Sequence, residues 1–125
     1  LPQQLQDLLA KNDEIVTVAS QMAPANNALF LGRNSCFPVA LEGALKMKEV
    51  SYIHAEGYPA AEIKHGPIAL IDRGMPVVAI APRIKGQEKI IANMQEVKAR
   101  GARVIAPPGV DRSLVADRPA NVRNE

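Results

Sequence analysis

Short apolar runs alternate along this chain with segments whose apolar residues recur at helical spacing. Three of these runs, 28–31, 76–81 and 103–106, consist almost wholly of Val, Ile, Leu, Ala and Phe. Runs without polar alternation are typical of strands that are covered on both faces of a parallel sheet. The sequence therefore predicts three neighbouring parallel strands with helices between them, which is an α/β fold.

Helical spacing appears in three segments, 1–24, 38–52 and 87–100. The first is predicted to be a single lead-in helix that stops at Pro24. The second begins at Pro38, whose missing N–H costs nothing in the first turn of a helix. Its apolar stripe is predicted from spacing: Leu41, Ala44 and Leu45, with Lys48 at its end. The third helix is predicted to end at Gly101.

The remaining segments give weaker signals. Residues 51–55 fit either a short strand or a helix end, and 68–71 fit either type, whereas 59–64 allow a helical turn. We predict one domain over residues 1–110. The segment 111–125 is predicted to be a short, poorly ordered tail, because it has no clear apolar period.

Composition narrows the class of protein. The net charge of +2 and the 3% of aromatic residues give neither a basic stripe nor a stacking platform, so nucleic acid is not an expected partner. No apolar run approaches 18 residues, so no membrane span is predicted. The single cysteine, Cys36, excludes an internal disulfide and fits a reducing cytoplasm. Cys36 itself is predicted to be buried filler.

Open parallel sheets bind ligands beyond the carboxyl ends of their strands. The loop 32–37 follows the first predicted strand, and its free N–H groups together with the Ser35 hydroxyl are candidates for binding an anion. An ordinary strand–helix turn explains the same residues, and the pattern favours that simpler interpretation. No metal site is predicted, because His54 and His65 lack a spaced set of partner ligands.

Two further positions suggest acid–base chemistry. Glu49, flanked by Lys46 and Lys48, has the character of a base that moves a proton between adjacent carbons of a sugar while a lysine keeps it ionised. An ordinary solvated helix face with i,i+4 pairs fits the same residues, and the pattern alone favours it. His65 precedes Gly66-Pro67, and a histidine held in such a turn can transfer a proton to open a sugar ring. A surface histidine without a role fits as well.

The segment Leu31–Asp72 resembles the second sugar isomerase (SIS) domain of the glucosamine-6-phosphate synthases. Its most specific blocks are Ala-Leu-Glu-Gly-Ala-Leu-Lys at 40–46 and Glu-Ile-Lys-His-Gly-Pro at 62–67. The resemblance extends over nearly the whole chain, up to about Pro108. It implies a three-layer α/β/α sandwich of SIS type with flavodoxin-like winding.

The resemblance also implies a function and its residues. Enzymes of this family convert fructose 6-phosphate and glutamine-derived ammonia to glucosamine 6-phosphate, without a cofactor. The matching positions make Glu49 the isomerising base, Lys46 its supporting lysine and His65 the ring-opening histidine, which in the family serves the site of the neighbouring subunit. The expected partners are the sugar phosphate, a second copy of the chain, and the glutaminase and first SIS domains of a full-length protein.

Several departures qualify this resemblance. The glutaminase domain and first SIS domain are absent, so we expect the isolated chain to be inactive or nearly so. The tail 117–123 resembles the family's closing segment but has no imine-forming lysine. Asn34 and Ala61 stand where the family has glycine, so the backbone angle φ decides whether each is harmless. A phosphosugar-binding SIS module that regulates or scaffolds without catalysis is the alternative function.

Overall fold

The computed structural model describes residues 1–83 and 85–106, and contains a sheet of four parallel strands. The strands are β1 (Asn27–Gly32), β2 (His54–Pro59), β3 (Pro76–Ile80) and β4 (Arg103–Ile105). Their order is β2-β1-β3-β4, which is the start of the flavodoxin-like order. The three strands predicted from the apolar runs are adjacent and parallel, with Leu29 opposite Val77 and Val77 opposite Val104. The predicted α/β fold is confirmed.

Within the described residues, four α-helices accompany these strands: α1 (Pro2–Leu9), α2 (Asn12–Met22), α3 (Phe37–Ser51) and α4 (Gln87–Ala99). The same part of the chain has three 3₁₀ helices, at Asn34–Cys36, Ala60–His65 and Pro67–Leu70. The segment Ala60–His65 is called the 60–65 helix below. No helix within the described residues is long and apolar enough to cross a membrane.

The single lead-in helix predicted over 1–24 is wrong in detail, because the segment forms two helices that meet at Ala10 and Lys11. Asn and Asp favour helix starts over helix interiors, since their side chains compete for backbone hydrogen bonds. The sequence Asn12-Asp13-Glu14 starts the second helix and places two carboxylates in its first turn. That position is favourable for negative charge.

Alternate residues of the strands point to opposite faces of the sheet and form two apolar clusters. One face, carrying Phe30 and Ala55, packs against α2 and α3. The other face, carrying Leu31 and Val77, packs against the 60–65 helix and α4. Helices therefore cover both faces, and α3 and the 60–65 helix lie on opposite sides of the sheet.

The buried face of α3 matches the predicted stripe at Ala44 but not at its two leucines. Ala40 and Ala44 are buried, whereas Leu41 and Leu45 remain 45% and 42% exposed. Small residues at this contact let the helix approach the sheet closely, and Gly57 of β2 shows how close the two backbones come. A Cβ atom added there would lie 3.0 Å from the Cα of Leu41.

The ambiguous segments are resolved as follows. Residues 51–55 contain the end of α3 and the start of β2, 59–64 form most of the 60–65 helix, and 68–71 are mostly a 3₁₀ helix. The predicted tail 111–125 lies outside the described residues, and the domain bounds 1–110 remain a prediction.

Candidate active site

Lys46 and Glu49 form a hydrogen-bonded ion pair on the exposed side of α3. The Lys46 ammonium donates to Glu49 Oε2 over 3.0 Å, and the Glu42 carboxylate lies 3.5 Å from the same ammonium on its other side. The spacing of three and four residues along one helix brings all three side chains together. Of the candidate residues, the structure thus unites Lys46 with Glu49.

This pair contributes little to folding. Its two side chains are 59% and 54% exposed, and ion pairs this exposed to solvent add little to stability. The hydrogen bond to Glu49, followed by the charges of Glu49 and Glu42, raises the pKa of Lys46 above its ordinary value. Lys46 is therefore fully protonated at neutral pH, and it holds the Glu49 carboxylate in one place on the helix surface.

An open apolar hollow of ≈ 440 Å³ borders the same helix. Phe30, Val39 and Ile80 contribute its apolar wall, and Glu42 and Lys46 lie on its rim. Charged groups beside an apolar hollow are the usual composition of a small-molecule site. The hollow is on the face of the sheet that α3 covers.

His65 lies elsewhere. It is the last residue of the 60–65 helix, is exposed, and follows the carboxyl end of β2. Because the 60–65 helix packs on the opposite face of the sheet from α3, one chain does not bring His65 to the Lys46–Glu49 pair. This separation could not be predicted from the sequence, because it depends on which face of the sheet each segment between strands crosses.

Ser35 is exposed on the 3₁₀ helix between β1 and α3. The crevice at the carboxyl ends of β1 and β3 is lined instead by Arg33 and Lys85, with the start of α4 at Gln87. Arg33 and Lys85 belong to no distinctive sequence pattern. Only their positions after β1 and β3 indicate that they lie at this crevice. The crevice offers ≈ 20 Å³, about the space of one water, so it does not accommodate a sugar phosphate as it stands.

A second polar group lies along the edge strand β2. The Tyr58 hydroxyl donates to Glu56 Oε2 over 2.5 Å, and His54 Nε2 lies 3.3 Å from Glu56 Oε1. The Tyr58 hydrogen bond, assisted by the His54 charge, lowers the pKa of Glu56, and the same bond raises the pKa of Tyr58. Across the described residues, no group of three or more His, Cys, Asp or Glu side chains is arranged to hold a metal ion.

The family model described as "SIS domain" matches residues 21–118, which is most of the chain. The chain belongs to the SIS domain family. The similarity that the blocks at 40–46 and 62–67 indicated is thereby confirmed.

The curated relatives are larger proteins. The chain is 58% identical over 106 residues to the glutamine–fructose-6-phosphate aminotransferase (isomerizing) of Chlorobaculum tepidum. The aligned region covers 85% of this chain and 17% of that protein. It is 50% identical over 124 residues to the protein of the same name from Pseudomonas syringae pv. tomato, spanning 99% of this chain and 19% of the relative. The chain thus spans less than a fifth of the length of these relatives.

A solved structure shows the same similarity. The C-terminal domain of glucosamine-fructose-6-phosphate aminotransferase from Francisella tularensis superposes with a TM-score of 0.75 at 47% identity, covering 78% of this chain and 28% of that one. The SIS domain described here therefore corresponds to a C-terminal part of such enzymes.

The two departures from the family's glycines are both accommodated. Asn34 adopts φ of 50°, in the left-handed region, where Asn is one of the few residues that substitute for glycine at low cost. Ala61 is outside that region, since Asn34 and Tyr52 are the non-glycine residues with positive φ among those described. The loop after β1 therefore tolerates Asn34 at low cost, and the backbone of the 60–65 helix is not strained at Ala61.

Proposed function

We propose that this SIS domain is the isomerising part of a glucosamine-6-phosphate synthase, which makes glucosamine 6-phosphate from fructose 6-phosphate and glutamine-derived ammonia. The observation that carries the proposal is the Lys46–Glu49 pair, fixed by a 3.0 Å hydrogen bond beside an apolar hollow. The names of the relatives support it, because they are glutamine–fructose-6-phosphate aminotransferases.

Glu49 is the proposed base. Isomerisation requires removal of a proton from carbon 1 of the opened sugar and its return to carbon 2, and a carboxylate that reaches both carbons performs both steps. Lys46 is protonated and donates to Glu49 Oε2, so it orients the carboxylate and leaves Oε1 for the sugar. The exposure of the pair fits this role, since the substrate has to reach it.

His65 is the proposed ring-opening residue, and it acts in the site of a second chain. Ring opening needs a proton on the ring oxygen and removal of one from the anomeric hydroxyl, which an imidazole near neutrality can exchange. Its place on the opposite face from α3 supports assembly of each site from two copies. A homodimer or higher oligomer follows from this proposal, and the single cysteine supports the cytoplasm as its location.

The proposed function also requires other parts of a larger enzyme. The first SIS domain would supply most contacts to the phosphate and sugar, and a glutaminase domain would supply ammonia. The apolar residues left exposed on α1 and α3 support burial against further protein, because large bare apolar patches are uncommon on single domains. Among them Leu9 is 75% exposed and Val39 is 53% exposed.

The test replaces Glu49 by Gln in the complete synthase that carries this domain. Glu49→Gln keeps the shape and removes the base, so formation of glucosamine 6-phosphate should fall on the order of a hundredfold or more. Fructose 6-phosphate binding should change little. Lys48→Ala is the matched control, because Lys48 is an exposed lysine on another side of α3 and should have a far smaller effect.

Turnover of Glu49→Gln at the parent rate would contradict the proposal. If binding of fructose 6-phosphate persisted in that case, the alternative of a phosphosugar-binding module without its own catalysis would be favoured.

A further inference from the structure

Asn93 is the one buried polar side chain among the residues that the structure describes, with 8% of its surface exposed. It lies on α4, among apolar residues that pack on the sheet. Burying an amide costs free energy unless both of its ends find partners, so its surroundings are informative.

Both ends of the Asn93 amide are engaged. Its Oδ1 faces Arg33 Nη1 and its Nδ2 faces Glu96 Oε2, each at 3.5 Å, which is longer than an ordinary N–H···O hydrogen bond and makes both contacts weak. Glu96 uses its other oxygen, Oε1, to pair with the Lys64 ammonium at 2.8 Å, a charge-assisted contact of the strong kind. A polar chain thus runs from the loop after β1, through α4, to the 60–65 helix.

The Glu96–Lys64 contact lies beside His65. A 3₁₀ helix has three residues per turn, so residues three apart point the same way. The burial of the 60–65 helix follows this rule: Ala60 and Ile63 are buried, and the residues between and after them are exposed. Ile63 is held in the core and the Lys64 ammonium pairs with Glu96, so two of the three sides of this helix are attached to the rest of the fold. These two attachments set the orientation of the helix, and therefore the direction in which its third side, which carries His65, points.

The structure assigns Glu96 as a positioning residue for His65, acting through Lys64. This inference rests on the proposed ring-opening role of His65. Glu96 is suited to the task because its side chain is only 31% exposed and its second oxygen faces the Asn93 amide, whereas the Lys46–Glu49 pair is more than half exposed.

The test separates ring opening from the later steps by the choice of substrate. 5-Deoxyfructose 6-phosphate lacks the 5-hydroxyl, so it cannot close a five-membered ring and needs no opening. Glu96→Gln keeps the side-chain shape and removes the charge that fixes Lys64. In the complete synthase it should lower kcat for fructose 6-phosphate by roughly tenfold through misplacement of His65. The kcat for the 5-deoxy analogue should be unchanged.

Four variants complete the design. Glu88→Gln removes the same charge from an exposed site in the first turn of α4 and should leave both substrates unaffected. Lys64→Gln should reproduce the selective loss, and the double variant with Glu96→Gln should be no worse than either single variant, as for two residues acting through one contact. His65→Ala should show the same selectivity with a larger loss.

The outcomes distinguish the inference from the function beneath it. Equal losses on both substrates for Glu96→Gln, or no loss while His65→Ala remains selective, would overturn the positioning role and leave the proposed function intact. If His65→Ala itself affects both substrates equally or neither, the ring-opening role fails, and the assignment of Glu96 fails with it.

Discussion

Mixing two inactive variants of the complete synthase tests whether each active site draws residues from two chains. One variant carries Glu49→Gln and the other His65→Ala, so neither homodimer has a competent site. In a heterodimer, one site combines both altered residues, and the other combines an intact Glu49 with the intact His65 of the other chain. That second site should work fully.

The expected magnitude follows from the geometry. The sheet lies between α3 and the 60–65 helix, so the proposal places Glu49 and His65 of one chain in two different sites. Random pairing of equal amounts gives about half heterodimers, each with one working site of two, in a closed symmetric dimer. The mixture should therefore recover about one quarter of the parent activity.

The assay measures formation of glucosamine 6-phosphate by co-expressed variants that carry different affinity tags. A matched control mixes Glu49→Gln with Lys46→Met. Because Lys46 and Glu49 are hydrogen-bonded on the same helix, every site in that mixture lacks one member of the pair, and no activity should return. Absence of rescue in the first mixture, or equal rescue in both, would refute the assembly of sites from two chains.

Three further predictions concern stability, each measured by urea unfolding at a fixed protein concentration. Tyr52 ends α3 with φ of 59° and is 94% exposed, so Tyr52→Gly should relieve a left-handed strain of about 1–2 kcal/mol. Glycine's entropy cost of about 0.5–1 kcal/mol leaves a net gain of about 0.5–1 kcal/mol, and a loss relative to Tyr52→Ala would contradict this. Gly32→Ala should destabilise by about 3 kcal/mol or more, because its Cβ would lie 2.3 Å from the backbone oxygen of Cys36; an unchanged midpoint would count against so close an approach of the loop to β1. Tyr58→Phe should flatten the pH dependence of stability below about pH 4.5, the ordinary pKa of a glutamate, since the Tyr58 hydrogen bond lowers the pKa of Glu56 and its contribution is lost as pH falls through that lowered value; parallel curves for both proteins would argue against the bond.

The sequence predicts β1 and β3, which lie in the middle of the sheet, and also β4. They are recognisable because apolar residues occupy successive positions, as burial on both faces requires. The strand β2 gives no such signal. It is an edge strand with His54, Glu56 and Gly57 in it, and His54 is exposed, so its composition resembles a loop.

The packing of α3 shows a second limit. Leucines at helical spacing predict the buried face, yet Ala40 and Ala44 are the residues of α3 that are fully buried. The backbone of α3 at Leu41 approaches Gly57 of β2 closely, and that approach is a property of two distant segments together. Leu41 and Leu45 are left half-exposed, which fits a further contact that one domain does not contain.

The candidate site could be predicted only where its contacts are local in the sequence. The Lys46–Glu49 contact is local to one helix, so spacing alone brings it together. The Asn93–Glu96–Lys64 chain joins α4 to the 60–65 helix and has no sequence pattern. Its position depends on how those two elements pack over the sheet.

The central claim is that Glu49 moves the proton between carbons 1 and 2 of the sugar. The most direct measurement is the exchange of the carbon 1 hydrogens of fructose 6-phosphate with D₂O, followed by proton NMR, in the complete synthase without glutamine. We predict that exchange occurs in the parent and in Lys48→Ala, and falls on the order of a hundredfold or more in Glu49→Gln, with sugar binding retained. Exchange at the parent rate in Glu49→Gln would show that another group is the base.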